Sequence, residues 1–307
     1  MKVLTTLAEG DYFLGLAALL NSVEYFGRYV DRIIVGYRGD LPSWLPNLTS
    51  EDYGFSCFVG KGFVLELVTV DGKNHMVHEK PNWFKFVNDV LAPDADEYFF
   101  FDSDIVVNKR MDFFGEWADT GVAVCGDVNY IFSSTHPIRR KWAKLAKEAG
   151  YDVTNKLDGY FNSGFLGWTK HTKQFIDDWA LAFSILSPHA GSMTEFRVKD
   201  RTNTVLSANQ DSFNLALMIT KVPIADIGPE AMGLINGMQL MHHPLGPKPW
   251  HINFVNNFFR GLKPRAADLE FYRFVNGSLL SPLSQAHVER RKMIVWACRF
   301  ASRFYRR

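Results

Sequence analysis

The segment EYFFFDSDIVV, residues 97 to 107, constrains the fold most, because an apolar run leads directly into two carboxylates. The consecutive residues Tyr98 to Phe101 are typical of a strand that is buried on both faces of a parallel sheet. If the chain stays extended, Asp102 and Asp104 point to the same side. Two uncompensated carboxylates at a buried strand end are costly, and their oxygens suit Mg2+ or Mn2+. A turn at the strand end is the alternative interpretation.

Short apolar segments alternate with helical patterns along the chain, as in βα units around a mostly parallel sheet. The predicted strands are residues 2–7, 32–37, 63–70, 97–101, 121–126 and 160–168. The predicted helices are residues 12–26, 82–91, 137–149, 172–186 and 209–220. We therefore expect an α/β domain at residues 1–255, followed by a helical appendage with a basic tail at 256–307.

Composition narrows the class of protein. Lys and Arg total 34 against 33 Asp and Glu, so no global field attracts nucleic acid, and we expect no nucleic-acid partner. The three cysteines have no zinc-site or disulfide spacing, which predicts buried thiols and a reducing compartment. The N-terminus MKVLTTLAEGDY lacks the apolar core of a signal peptide, and no apolar run reaches about 18 residues. The expected location is cytoplasmic, with peripheral attachment to a membrane as an open alternative.

The C-terminal segment, residues 287–307, has the sequence HVERRKMIVWACRFASRFYRR and mixes basic with large apolar residues. On a helix, Ile294, Phe300 and Phe304 lie near one side, with Val295 and Trp296 beside them. One interpretation is a basic amphipathic helix that lies on an anionic membrane surface. The other is a helix docked on the domain with a solvated basic face.

A second polar cluster occurs in MHHPLGPKPWH, residues 241 to 251. His243 offers a nitrogen ligand to a metal, Gly246 permits close approach of the backbone, and Lys248 can donate to phosphate oxygens. An isolated histidine is more often structural than a ligand. Together with the Asp102 and Asp104 pair, however, the cluster favours a metal site next to bound phosphate.

These residues carry a resemblance to the retaining glycosyltransferases of family 8, which have the nucleotide-sugar-binding α/β fold called GT-A. Four blocks match in order: TLAEGDYFLGLAALLNSV; EYFFFDSDIVV; YFNSGFLGW with NQDSFNLAL; and HHPLGPKPW. The resemblance implies a GT-A fold and Mn2+- or Mg2+-dependent transfer of a hexosyl or pentosyl group. The donor would be a nucleoside diphosphate sugar, with UDP expected, and the acceptor a glycan or a lipid-linked glycan.

Position by position, the resemblance implies that Asp102, Asp104 and His243 ligate the metal. It implies donor-nucleotide contacts at Leu7, Glu9, Asp11, Tyr12, Lys85, Ser103, Gly246 and Lys248. It also places Asn162, Asn209, Gln210 and Asp211 around the transferred sugar, with Gln210 near the anomeric carbon. In structural terms, Asn162 could be a turn residue and Asn209 a helix N-cap. Asp211 would be the candidate base of an inverting enzyme.

Three departures from the family pattern leave the donor sugar open. Glu9 and Asn209 stand where the family usually has Asp, and one residue fewer separates Gly246 from Lys248. Two other functions also remain. Asp102 and Asp104 could be the nucleophile and acid of a haloacid-dehalogenase-like phosphohydrolase, or the aromatic residues could serve a non-catalytic carbohydrate-binding protein.

Overall fold

The structure is a computed structural model that describes residues 1–60, 63–129, 132–197 and 202–304. The strands in these residues are β1 (Lys2–Glu9), β2 (Arg32–Arg38), β3 (Thr49–Glu51), β4 (Gly54–Val59), β5 (Phe63–Thr69), β6 (Glu97–Phe101), β7 (Val106–Val107), β8 (Val122–Gly126), β9 (Phe161–Thr169), β10 (Ile224–Ile227) and β11 (Met241–His242). The α-helices are α1 (Tyr12–Tyr25), α2 (Lys80–Phe86), α3 (Met111–Ala118), α4 (Pro137–Glu148), α5 (Gln174–Leu186), α6 (Ala208–Ile219), α7 (Phe254–Phe259), α8 (Ala266–Phe274) and α9 (Gln285–Ala301).

Nine of these strands form one sheet in the order β10-β8-β9-β6-β1-β2-β5-β4-β3. The pairings β1–β2, β1–β6, β2–β5 and β8–β10 are parallel, whereas β9 and β4 run against their neighbours. The prediction of an α/β fold with a mostly parallel central sheet is confirmed. The hairpin of β3 and β4, which extends one edge, was not predicted; β3 is three residues long and exposed throughout, and β4 has six residues.

Strand β6 lies at the centre of this sheet and is buried on both faces, as its apolar run predicts. Phe99 and Phe101 belong to the apolar layer that contains α1, whereas Tyr98 and Phe100 belong to the layer on the opposite face. The ring of Tyr98 stacks on Trp168, with centroids 5.1 Å apart. Because both faces are covered, β6 gives the residues that follow it a fixed position in the core.

The C-terminal region packs directly on α1. Asn21 of α1 donates to the carbonyl oxygens of Phe274 (2.9 Å) and Leu280 (2.8 Å), and its Oδ1 accepts from the amides of Leu279 (3.0 Å) and Leu280 (3.1 Å). A buried amide is tolerated because its donor and acceptor both have partners. The contacts fix residues 274–280 against the helix that borders the strand-end loop of residues 102–105.

Candidate metal and donor site

Two strand pairings bring the proposed metal ligands together. The antiparallel register of β6 and β9 pairs Phe101 with Phe165, and one position further the amide of Asp102 donates to the carbonyl of Gly164 (2.7 Å). A separate two-stranded sheet pairs β7 with β11. Because β7 follows Asp104 and β11 immediately precedes His243, this pairing places the imidazole opposite the carboxylates.

The ligand atoms of Asp102, Asp104 and His243 all lie within 4.8 Å of one another. His243 Nε2 is 3.6 Å from Asp104 Oδ1 and 3.9 Å from Asp102 Oδ2. Burial lowers the pKa of His243, so the imidazole is neutral near pH 7 and its nitrogen can bind a metal. Burial opposes ionisation of Asp104, but the charge that His243 carries when protonated at low pH and the charge of Lys248 outweigh burial, so the pKa of this carboxyl is lowered.

Two lysines contact the carboxylate pair. Lys80 at the start of α2 is 2% exposed, and its Nζ lies 2.6 Å from Asp102 Oδ1 and donates to the Ser163 carbonyl at 2.9 Å. Lys248 Nζ donates to Asp104 Oδ2. Burial lowers the pKa of Lys248, but the adjacent Asp104 outweighs burial, so the pKa is raised and the lysine is charged. Each carboxylate therefore has its own cation in addition to the shared histidine.

The residues present fit a divalent metal. Two carboxylates and a neutral imidazole are a donor set that Mn2+ and Mg2+ accept, with Mn2+ better suited to the nitrogen ligand. The space beside them depends on Gly164. A Cβ added at Gly164 would lie 2.8 Å from Asn162 Oδ1, 2.9 Å from His243 Cε1 and 3.0 Å from Asp102 Oδ2. Any larger residue would push the ligands apart.

This group lies in a cavity of about 570 Å³. Of the residues expected at the site, those that line the cavity are Leu7, Glu9, Tyr12, Asp102, Ser103, Asp104, Asn162, Gln210, His243, Gly246 and Lys248. Leu7, Glu9 and Tyr12 come from the end of β1 and the start of α1, beside the carboxyl end of β6. Open α/β sheets bind ligands at that edge.

The segment from Pro244 to Lys248, which we call the phosphate loop after the role expected of it from the sequence, is held by contacts from the C-terminal helices. Gly246 has φ +76°, a conformation that glycine adopts without strain. The guanidinium of Arg265, just before α8, donates to the carbonyls of Leu245 and Pro247, the latter at 2.7 Å. Asp268 fixes that guanidinium through two of its nitrogens.

On the other side of the Asp102–Asp104–His243 group, the Asp127 carboxylate accepts hydrogen bonds from three residues. Asp127 Oδ2 accepts from Asn162 Nδ2 (2.7 Å) and from Gln210 Nε2 (2.9 Å). Its Oδ1 accepts from the amide and side chain of Asn129, both at 2.7 Å. Asn162 lies in β9 rather than in a turn, and its Oδ1 accepts from the Gly164 amide. One carboxylate thus orients two side chains that face the cavity.

Four expected residues are not among the described residues that line the cavity. Lys85 is half exposed on α2 and pairs with Asp89 and Asp177. Asp11 pairs with His251 at the surface. Asn209 lies in the first turn of α6, where Ser207 is the N-cap, and donates to Ser163 Oγ (2.8 Å).

Asp211 is the fourth, and it is buried beneath the cavity. It accepts from the Tyr160 hydroxyl (2.6 Å) and from the amides of Leu206 (2.6 Å) and Ser207 (3.0 Å). Burial raises the pKa of Asp211 to about 6 against these hydrogen bonds. The carboxylate orders the start of α6, and Gln210 beside it reaches the cavity.

Sequence reasoning missed Asp127, Lys80 and His75. Asp127 follows β8 as Asp102 follows β6, so the strand-end pattern could have identified it. His75 lines the cavity from the loop before α2, and its Nδ1 accepts from the Val77 amide (3.3 Å). No local pattern distinguishes Lys80 from the exposed lysines of the chain.

Comparisons with known proteins support the fold. No family model and no curated protein sequence matches the chain. Among similar solved structures is WbbM in its apo form, described as a bifunctional glycosyltransferase, with a TM-score of 0.52 at 14% identity over 94% of this chain. The chain spans about half of WbbM, 51% of its length. An active-site Gln-to-Glu mutant of LgtC matches at 14% identity and a TM-score of 0.48, over 82% of this chain and 90% of LgtC. The expected glycosyltransferase-type α/β fold is confirmed.

Proposed function

We propose that this chain is a metal-dependent glycosyltransferase that moves a hexosyl or pentosyl group from a nucleoside diphosphate sugar to an acceptor hydroxyl. The observation that carries the proposal is the Asp102–Asp104–His243 group inside the cavity at the carboxyl end of β6. The phosphate loop borders the same cavity on one side, and the Asp127 network borders it on the other. The family 8 resemblance supports UDP as the nucleotide and Mn2+ as the metal.

In this proposal Asp102, Asp104 and His243 hold the metal, which when bound neutralises charge on the donor diphosphate as a Lewis acid. Gly246 lets the backbone approach the diphosphate, and Lys248 donates to its oxygens. The Lys248 ammonium is fixed between Asp104 and the Tyr12 ring, whose centroid is 5.6 Å away. A cation fixed before the reaction stabilises the leaving group without reorganisation.

Retention of configuration is the proposed stereochemistry. Gln210 and Asn162 line the cavity with their amide nitrogens held by Asp127, which supports the proposal that both side chains contact the transferred sugar. An inverting enzyme needs a carboxylate base near the acceptor. Asp211, the expected candidate, is engaged by Tyr160 and two backbone amides below the cavity. Product stereochemistry by NMR tests this point, and an inverted linkage would refute retention.

The proposed acceptor is a glycan or a lipid-linked glycan. The proposed location is cytoplasmic, with peripheral membrane contact through residues 287–307. A phosphohydrolase remains the competing function for the carboxylate pair. Phosphohydrolases of that class carry the nucleophile after the first strand of the domain, whereas Asp102 follows β6, so the topology favours glycosyl transfer instead.

The test is a screen of nucleotide sugars for Mn2+-dependent hydrolysis, because slow hydrolysis identifies the donor before the acceptor is known. We expect one UDP-sugar to be consumed, and no phosphate release from p-nitrophenyl phosphate under the same conditions. The reverse pattern would establish a phosphohydrolase. Binding of free glycans without any nucleotide binding would establish a carbohydrate-binding protein.

The matched variant is Asp104→Ala, which removes one proposed ligand at a residue 3% exposed. Donor hydrolysis and Mn2+-dependent UDP binding should both fall below detection. Because Lys248 loses its counterion in this variant, the melting temperature is measured in parallel. A folded variant with unchanged turnover would refute the metal assignment.

A further inference from the structure

The last helix, α9, is attached to the domain by one side only. Val288, Val295 and Cys298 are buried against the core, and Arg291 of the same helix donates to the Tyr272 hydroxyl (2.9 Å) and the Ile252 carbonyl (2.7 Å). Val295 is thus part of the apolar cluster that attaches α9 to the domain, and the neighbouring Ile294 packs against the same cluster. Ile294 and Val295, which the sequence analysis grouped with Phe300 and Phe304, therefore pack on the domain instead.

The side of α9 that points away from the domain is also apolar. Met293 and Trp296 are each 64% exposed, Phe300 is 46% exposed and Phe304 is 78% exposed. The spacing of three and four residues places Met293, Trp296 and Phe300 on one side of α9, and Phe304 lies in the turn that follows the helix; we call the surface of these four residues the C-terminal face. Trp296 stacks on Phe300 with ring centroids 5.5 Å apart and planes at 10°, and Phe300 contacts Phe304. The exposed residues form a continuous stripe rather than scattered side chains.

Basic side chains border this stripe. Residues 290–307 contain seven Lys and Arg and no Asp or Glu. At 100° per residue, Lys292 lies on one edge of the stripe and Arg290 on the other. Arg303 lies over the Phe300 ring, 5.8 Å from its centroid. Glu289, one turn before Met293 on the same side of α9, is paired with Lys292 (3.0 Å).

We propose that the C-terminal face binds the surface of an anionic lipid bilayer. Trp and Phe side chains partition into the boundary between headgroups and acyl chains, and cations on both edges meet anionic headgroups. Among the described residues no helix is long and apolar enough to cross a membrane, so contact is parallel to the bilayer plane. The alternative of a docked helix with a merely solvated basic face does not account for four exposed large apolar residues in register. This surface lies outside the proposed donor site.

Sedimentation of the full chain with vesicles tests the proposal. One set of vesicles is phosphatidylcholine alone and the other contains phosphatidylserine. We expect the protein to sediment with the anionic vesicles at low salt and to be released as salt is raised. The double substitution Trp296→Ser with Phe300→Ser should weaken vesicle binding about tenfold or more, since both the apolar and the electrostatic contributions are required.

Phe58→Ser is the matched control, because Phe58 is 69% exposed but lies on β4 rather than on α9. It should sediment like the parent chain. Substitution is preferable to deletion of residues 287–307, which would also remove the buried contacts of Val288 and Val295. Equal binding to both vesicle types, no binding to either, or Trp296-dependent self-association in light scattering would each overturn the proposal. None of these outcomes bears on donor hydrolysis, so failure here is distinguishable from failure of the proposed function.

Discussion

The two sides of the candidate site are built in different ways. One side, which we call the strand half, consists of Asp102–Asp104 and Asn162–Gly164, and its positions follow from the pairing of β6 with β9. The other side is the phosphate loop, which has no sheet pairing of its own after β11. Arg265 donates hydrogen bonds to the carbonyls of this loop, and Arg291 and Tyr272 donate to the carbonyl of Pro249, which directly follows it.

The difference predicts how each half responds to substitution. The strand half lies in a close-packed core, where a misplaced atom cannot be accommodated by neighbours. The phosphate loop is held by a few polar contacts from outside, so its substitutions should change donor affinity more than folding. Variants chosen in matched pairs can separate these two behaviours.

Among substitutions outside the proposed metal ligands, the largest effect is expected from Gly164→Ala in the strand half. The new Cβ would crowd Asn162, His243 and Asp102 at 3.0 Å or less, and displacement of reacting groups by about 1 Å costs on the order of a hundredfold in rate. We expect at least that loss in donor hydrolysis, measured with the best nucleotide sugar. The control is Gly159→Ala, just before β9, where no described atom beyond its chain neighbours lies within 4 Å of the added Cβ. If both variants retained full activity, Gly164 would have no part in the site.

A second pair compares the two lysines of α2. Lys80→Met leaves Asp102 without its cation. Removing one partner of a fully buried ion pair costs about 3–5 kcal/mol of stability, but the Asp102 side chain is 27% exposed, so we expect a loss of about 2 kcal/mol. The melting temperature should fall by roughly 3 °C, and donor hydrolysis about tenfold. Lys85→Met removes only exposed ion pairs, so stability should change by about 0.5 kcal/mol or less. Loss of donor binding in the Lys85 variant alone would reverse this assignment.

These two lysines also show which features of the site could be predicted from the sequence and which could not. The positions of the predicted strands in the chain and the grouping of Asp102 with Asp104 follow from local apolar runs, because a strand buried on both faces is a near-continuous apolar segment. Lys80 and Lys85 lie on one short helix, Lys80–Phe86, and nothing in the local sequence shows which of them faces the site. That choice is made by the packing of α2 between β6 and α5.

The contacts of Arg265 could not be predicted from the sequence either. Its partners in the phosphate loop lie 18 and 20 residues earlier in the chain, and no short-range pattern encodes that contact. Asp127 is different, since it follows an apolar strand in the same way as Asp102. The residues that sequence reasoning missed are thus mainly those whose roles arise from tertiary packing.

The phosphate loop is tested with Arg265→Lys. Lysine retains the charge beside the buried Asp268, but its single ammonium cannot reproduce the fork that holds two carbonyls. One lost hydrogen bond of about 1.4 kcal/mol corresponds to tenfold in affinity, so the donor KM should rise about tenfold. The melting temperature and kcat should change little. The matched control is Arg273→Lys, whose exposed pair with Glu270 lies on the surface of α8. A fall in kcat with unchanged KM would contradict a role in holding the phosphate loop.

The smallest effect is expected at Gly246, and it isolates backbone geometry from packing. No described atom beyond its chain neighbours lies within 4 Å of a Cβ built there, so Gly246→Ala introduces no clash. Its φ of +76° nevertheless costs an alanine about 1 kcal/mol, which predicts a rise in donor KM of about fivefold. Asparagine tolerates this conformation better, so Gly246→Asn should recover part of the affinity. If the two variants had equal KM values well above that of the parent chain, the side chain itself would be obstructing the donor. The phosphate loop would then resemble the strand half, where space rather than backbone conformation limits substitution.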